Sequence, residues 1–331
     1  MLALRVEKSF AEKAKRELLE KGVFARGFNA LRDERFVFFP ALKRVRISVR
    51  HSFVQKEFSS IETPKPLKKL LPYSASSYDL VGNIAVVEIS PSALSKRKQI
   101  AKTLLVSNKR IKTVLRKAGN REGKFRLKEY EWLAGEKKTL ALHKESGCVF
   151  RVDLAKVYFS PRLSSERLRI ASMVKNGEKV LVLFSGVSPF DIVIAKRKRV
   201  FTRGVELNPA AVRLAKENIR LNKLEGKSEA YCGDAKAYAK KFGGWADRIL
   251  MPSPTLAHEF LDAVVAKARK GRVIHYYDTG GENEGIFKNA LEAIKKACVS
   301  QKRKFRVLTK RKVLPYAPRV FTVAIDFRLL N

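Results

Sequence analysis

The sequence predicts an α/β protein: a mainly parallel, doubly wound sheet in the C-terminal half, preceded by two smaller N-terminal α/β units. Two observations predict it. From Pro161 onward apolar strands alternate with helices, the pattern of a sheet covered on both faces. Further upstream, "KEFSSIETPKPLKKLLPYSASS" carries prolines at 64, 66 and 72 and a cluster of serines. Proline removes a backbone donor and biases its neighbour towards extended chain, so this stretch separates a small first unit from the rest.

The elements follow in order. Residues 1–55 give a strand, a helix from about Ser9 to Lys21, and strands at Arg35–Pro40 and Val45–Val49. Residues 56–77 are the linker. Residues 78–160 form a second, α+β unit with a strand at Ile84–Ile89, a lysine-rich helix at Ala93–Val106, and closing strands in "TLALHKESG" and "VFRVDLAKVYFS". In residues 161–331 the pattern runs from the helix "SSERLRIASMV" through the buried strand "KVLVLFSG", the helix "SPFDIVIAKRK" and the strand "VFTRGVEL". The amphipathic helix "AAVRLAKENIRLNKL", the edge "SEAYCGDA", the strand "DRILMPSP" and the helix "AHEFLDAVVAKARKG" come next. "GRVIHYYD" and "RVFTVAIDFRLL" supply later strands.

Composition narrows the partner. Seventy Lys and Arg against thirty-two Asp and Glu leave a net charge of +38. Such a chain attracts polyanions by releasing counterions from phosphates, and nucleic acid is the expected partner. A thermophile surface would raise Glu along with Lys, and here the acids lag. Cys148, Cys232 and Cys298 are scattered without a C-x-x-C pair, so neither a zinc site nor a disulfide framework is expected. They read as small buried fillers in a reducing compartment. Neither a leader peptide nor an apolar run of spanning length is evident, so the expectation is a cytoplasmic protein off the membrane.

In a doubly wound sheet, ligands bind at the carboxyl ends of the strands. Three segments fall there. "FSGVSPF" contains Gly186, where backbone can approach a ligand, and Pro189 suits the first turn of the following helix. Glu206 ends the next strand, twenty residues later, the spacing at which an acid meets ribose hydroxyls. Asp234 ends a third strand and could accept from an adenine amino group, or simply cap the next helix. Together they point to an S-adenosylmethionine or dinucleotide site. The single glycine of the first loop tells against a pyrophosphate cradle.

The segments "VDLAKVYFSPRLSSERLRIA", "FSGVSPF", "VELNPAAVRLAKENIRLNKL", "DRILMPSPTLAHEFL", "VIHYYD" and "YAPRVF", with "YDLVGNIAVVEIS" and "GKFRLKEYEWLAGEKKTLALHKESG" upstream, resemble the archaeal and eukaryotic tRNA guanine-37 N1-methyltransferases over residues 78–331. The resemblance implies a class I (Rossmann-like) methyltransferase domain at 161–331. It also implies an N-terminal domain touching the outer corner of tRNA, and a second domain helping to form the active site. The implied reaction moves a methyl group from S-adenosylmethionine to position 37 beside the anticodon, with the base leaving its stack, and no obligatory protein partner.

N1 of neutral guanine bears a proton, so attack on the methyl carbon needs a base, and charge developing at O6 needs a cation. By resemblance Glu166 in "PRLSSER" is the base, Arg126 in "GKFRLKEY" stabilises O6, and Tyr158 in "AKVYFSPR" positions base and cofactor. The same resemblance assigns cofactor binding to Arg167, Phe184, Gly186, Val187, Glu206, Leu207, Asp234, Ala235 and Pro252, and RNA contact to Arg162 and Arg319. Alone, Glu166 would read as an acid favoured by the macrodipole of a first helical turn, and Tyr158 as a core aromatic. His258 and His275 read as packed or surface histidines, and no metal is implied.

The chain departs from many family members in three places. Val182 stands where they carry an acid, Ser188 where they carry a second glycine, and Pro252-Ser253-Pro254 where they carry Asn-Leu-Pro. These departures resemble the archaeal branch that also methylates C7 of the wyosine precursor 4-demethylwyosine, which extends the expected substrate to that tricycle. The alternative is a tRNA-binding protein with a degenerate methyltransferase domain; the presence of Glu166, Arg126 and Tyr158 argues against it.

Overall fold

The computed structural model describes residues 1–25, 27–60, 78–122, 125 and 127–331. They fall into two compact units, within Met1–Leu70 and Leu71–Asn331. Arg126 and the prolines at 64, 66 and 72 lie outside the described residues, as does most of the expected linker.

The first unit is an antiparallel sheet with a helix. Strands β1 (Leu2–Glu7), β2 (Leu31–Arg32), β3 (Phe36–Pro40) and β4 (His51–Gln55) pair in the order β2-β3-β1-β4. The helix spans Ala11–Glu20 after a 3-10 turn at Lys8–Phe10. Its buried residues, Ala14 and Leu18, are four apart on one face and pack on Leu4, Val6, Val37 and Phe39. The strand expected at Val45–Val49 does not form. Ile47 and Val49 are buried as the alternation suggests. The intervening Ser48, however, gives its N–H to the Glu17 carboxylate (2.8 Å) rather than to a neighbouring strand, and its hydroxyl bonds the same group. A side-chain clamp replaces the ladder.

The second unit begins with β5 (Tyr78–Val81), β6 (Ile84–Val87), β7 (Thr113–Glu122) and β8 (Leu127–Gly135), paired in that order. β6 and β7 are parallel, joined by a crossover containing a 3-10 turn at Pro91–Lys96 and the helix Arg97–Ser107. The hairpin β9 (Leu140–Glu145) and β10 (Cys148–Asp153) follows.

The seven-stranded sheet contains β11 (Lys179–Leu183), β12 (Phe201–Glu206), β13 (Ser228–Cys232), β14 (Arg248–Met251), β15 (Val273–Gly281), β16 (Phe305–Ala317) and β17 (Val320–Leu329), in the order β13-β12-β11-β14-β15-β17-β16. The first five are parallel; β17 and β16 close it antiparallel. β11 shows why both faces are covered. Val180 and Val182 enter a core with the helices Ser164–Met173, Pro189–Arg197 and Pro209–Leu221. Leu181 and Leu183 enter the opposite core, with Ala235–Phe242, Ala257–Lys267 and Lys288–Ser300. Period-two alternation of a wholly apolar strand therefore feeds two layers. The chain winds outward from β11 to β13, then returns to β14 on the other side, placing the topological switch between β11 and β14.

Two asparagines join β10 to this sheet. Asn218 accepts from the Arg151 N–H (2.6 Å) and donates to the carbonyls of Arg151 and Val187 (both 3.2 Å). One turn later, Asn222 accepts from the Val149 N–H (2.9 Å) and donates to its carbonyl (2.7 Å). Amide side chains four residues apart on a helix thus satisfy alternate residues of a strand edge. Cys148 and Cys298 are buried as expected, whereas Cys232 is exposed because it ends edge strand β13. Among the described residues no helix is long and apolar enough to cross a membrane.

Candidate active site

The loop after β11 carries unusual backbone. Phe184, Gly186 and Ser188 all have left-handed φ angles, of 56°, 56° and 60°. Only glycine adopts this without strain; each side-chain-bearing residue here costs about 1–3 kcal/mol, a cost that tends to concentrate at functional sites. Ser188 is also fully buried, and its hydroxyl has no hydrogen-bond partner in the protein. Ser188→Gly should therefore stabilise the protein by about 1 kcal/mol, relief of strain and of an orphaned hydroxyl outweighing glycine's greater unfolded-state entropy. The expected rise in Tm is about 2–4 °C by calorimetry; a lower Tm would mean that the serine is used.

The loop is tied to the next strand by Glu206. Its Oε2 accepts from the Gly186 N–H and its Oε1 from the Asn208 N–H, both at 2.9 Å. The carboxylate is fixed in orientation, and each oxygen keeps a lone pair for another donor. Asp234 caps the helix Ala235–Phe242 by accepting from Ala237 N–H (3.0 Å) through Oδ1, which leaves Oδ2 for a ligand. The capping alternative and the ligand reading are thus compatible.

These groups line a cavity of about 690 Å³ at the carboxyl ends of β11, β12, β13 and β14. Phe184, Gly186, Leu207, Ala235 and Pro252 join Glu206 and Asp234 on its wall. Phe260, edge-on to Phe184 with ring centroids 5.0 Å apart, completes an apolar side. Tyr158, 46% exposed, and Arg162 line it from the segment after β10. Arg162 is held by Asp79 (Nε to Oδ1, 2.5 Å). Among the described residues, Lys117 and Arg162 are the Lys and Arg side chains of the wall, and both pair with acids.

Four expected site residues, Val187, Arg167, Arg319 and Glu166, do not line this cavity. Val187 is buried in the core, its carbonyl taken by Asn218. Arg167 is fully buried and bidentate to Glu145 (both 2.6 Å), with its guanidinium also near the rings of Phe159 and Phe190. Arg319 occupies the turn between β16 and β17 with φ 58°, its carbonyl accepting from Glu282 N–H.

Glu166 sits in the first turn of Ser164–Met173, only 1% exposed and behind the cavity wall. Arg169 chelates it (Nη2 to Oε1 2.7 Å, Nε to Oε2 2.9 Å), Tyr277 donates to Oε1 at 2.6 Å, and Arg311 approaches Oε2 at 3.4 Å. Arg169 also bonds Asp326 (2.6 Å), which accepts a hydrogen bond from the Nδ1–H of His275 (2.6 Å). His275 Nε2 in turn accepts from Arg248 (2.7 Å), itself paired with Glu178. Burial and these cations hold His275 below its ordinary pKa, so the ring is the neutral Nδ1–H tautomer. Burial alone would raise the Asp326 carboxyl; hydrogen bonds from His275 and Arg169 instead hold it well below the usual range.

The comparisons with known proteins align with this geometry. The family described as "TRM5/TYW2 methyltransferase domain" matches residues 141–308, the "TYW2 N-terminal domain" 62–139, and the "tRNA methyltransferase 5 N-terminal domain" 3–49. The chain belongs to the TRM5/TYW2 methyltransferase family. Its relatives include the tRNA (guanine(37)-N(1))-methyltransferase Trm5b of Pyrococcus abyssi, 34% identical with 99% of each chain covered. The tRNA (guanine(37)-N(1))/4-demethylwyosine(37)-methyltransferase Taw22 of Nanoarchaeum equitans is 40% identical over 45% of this chain and 49% of its own. Similar solved structures include a complex of aTrm5 with tRNALeu (TM-score 0.71, 31% identity, all of both chains). Another is Pyrococcus horikoshii TYW2 with MeSAdo (TM-score 0.67, 30% identity, 81% and 95% covered).

The cofactor of this TRM5/TYW2 chain is S-adenosylmethionine, and the cavity suits it. Glu206 and Asp234 would repel a pyrophosphate but suit a ribose diol and an adenine amino group, between apolar Leu207, Ala235 and Phe260. Sequence reasoning missed Tyr277, which lines the cavity and bonds Glu166, and Asn208, which caps Pro209–Leu221 and donates to Lys156 O (2.7 Å). The Asn-Pro pair could have flagged the latter as a helix start. Nothing local could have flagged the former.

Proposed function

We propose that the protein methylates N1 of guanine 37 in tRNA from S-adenosylmethionine, and also C7 of 4-demethylwyosine at that position. The observation that carries the reading is the cavity at the switch point. It has a fixed carboxylate, Glu206, and two tyrosines, Tyr158 and Tyr277, on its wall, with Glu166 buried behind Tyr277. The bound cofactor supplies an electrophilic methyl group on sulfur. Glu206 orients its sugar and Asp234 its adenine, while Phe184, Pro252 and Phe260 exclude water. Tyr158 stacks or steers the base, Arg126 balances charge at O6, Glu166 is the terminal proton acceptor, and Arg162 and Arg319 meet RNA phosphate. The unit within Met1–Leu70 engages the outer corner of tRNA, while residues 78–160 contribute to the active site and to tRNA binding. The reaction runs in the cytoplasm and needs no obligatory protein partner.

Pro252-Ser253-Pro254 on the wall supports the second substrate, because proline lacks the polar tip an asparagine would aim at guanine. Labelled S-adenosylmethionine with two tRNAs, one bearing unmodified guanine 37 and one the precursor, tests both activities. Nucleoside mass analysis is expected to find methyl on each. Methyl on guanine alone would remove the second activity, and methyl on neither would overturn the proposal.

A further inference from the structure

We propose that Tyr277 relays the guanine N1 proton to Glu166. The inference rests on the reading of Glu166 as terminal base and explains how a residue behind the wall does that work. Tyr277 forms part of the cavity wall and Glu166 does not. The Tyr277 hydroxyl donates to Glu166 Oε1 at 2.6 Å, and Phe190, also on the wall, packs against its ring at 6.3 Å. The other approaches to the carboxylate are taken by Arg169 and Arg311. Among the described residues, the tyrosine is the wall residue that bonds the carboxylate.

The phenol does not act as a stored base. Burial first, and the Glu166 charge second, hold it well above its ordinary pKa, so a tyrosinate does not form near neutrality. It passes a proton through in one motion. As the N1 electron pair forms the bond to the methyl carbon, the N1–H bond breaks and that proton goes to the Tyr277 oxygen. The tyrosine's own proton moves to Glu166 Oε1, and the carbon–sulfur bond breaks with its electron pair remaining on sulfur. A cationic sulfonium and an anionic carboxylate become a neutral thioether and a neutral acid, with Tyr277 unchanged. Two hydrogen bonds from Arg169 hold the acceptor carboxylate in place until that moment.

Single-turnover methylation of tRNA by the full-length protein tests the relay. Tyr277→Phe should slow transfer about a hundredfold, as Glu166→Gln does, with the double variant no slower than the slower single one, since the pair works as a unit. Affinities for tRNA and S-adenosylmethionine should be unchanged. A wild-type rate for Tyr277→Phe beside a slow Glu166→Gln overturns the relay and leaves the base. A wild-type rate for Glu166→Gln overturns both. Site-specific 3,5-difluorotyrosine at 277 separates relay from packing, because it keeps ring and hydroxyl and alters only acidity. The relay predicts an altered rate and solvent isotope effect. With S-adenosylhomocysteine present, it also predicts a fluorine resonance that shifts on binding tRNA with guanine 37 but not its N1-methylated product. Unaltered rate and a silent resonance would make Tyr277 a packing residue and overturn the proposal.

Discussion

Glu166→Gln is expected to slow methyl transfer to guanine 37 about a hundredfold or more, while tRNA and S-adenosylmethionine bind as before. The amide matches the carboxylate in shape, still accepts from Tyr277, and cannot take the proton. The fold should tolerate the change because Arg169 keeps a second counterion, Asp326, at 2.6 Å. Glu166→Ala is a poorer test. It opens a hole beside a guanidinium only 15% exposed, and breaking such a buried pair costs about 3–5 kcal/mol. The readout is the single-turnover rate at saturating cofactor, with affinities measured separately. An unchanged rate would remove Glu166 from proton transfer and leave it a counterion for Arg169.

The second large effect concerns stability. Asp191, in the first turn of Pro189–Arg197, is completely buried, and neither carboxylate oxygen has a hydrogen-bond partner in the protein. Burial pushes its pKa up to about 8. The native state therefore keeps a proton that the unfolded chain loses near pH 4. The native state binds the extra proton across that window. Stability contributed by the protonated acid is complete below the unfolded pKa and is lost as pH rises through the folded value near 8. The slope is on the order of 1 kcal/mol per pH unit. Asp191→Asn cannot ionise, so its advantage in Tm over the parent should widen steadily from pH 5 to pH 8. Parallel curves would show that Asp191 ionises no differently in the folded state.

The doubly wound sheet was legible because its signals are local. Val180, Val182, Leu181 and Leu183 alternate between two cores, and Glu206 lies twenty residues beyond Gly186, where the structure joins them at 2.9 Å. The helix Lys288–Ser300 and strand β16 were not assigned, since lysines at 288, 295 and 296 and at 310 and 312 dilute their apolar patterns. At the site, the illegible part is pairwise. Arg167 resembles a cofactor ligand, yet Glu145, twenty-two residues earlier, pairs with it, and Glu166 alone reads as a first-turn acid, yet Tyr277 bonds it from 111 residues away. Charge balance inside a protein is settled between elements the chain brings together only on folding, and spacing along the sequence carries no trace of it.

The asparagine pair, Asn218 in Pro209–Leu221 and Asn222 at its C-cap, has a mechanical consequence. Asn218 grips β10 and the Val187 carbonyl of the cofactor loop at once, and Asn222 repeats the grip on β10 one turn later. The cofactor loop and β10 are therefore splinted together at this seam. Any parting of the cofactor loop from β10 would have to break these amide hydrogen bonds.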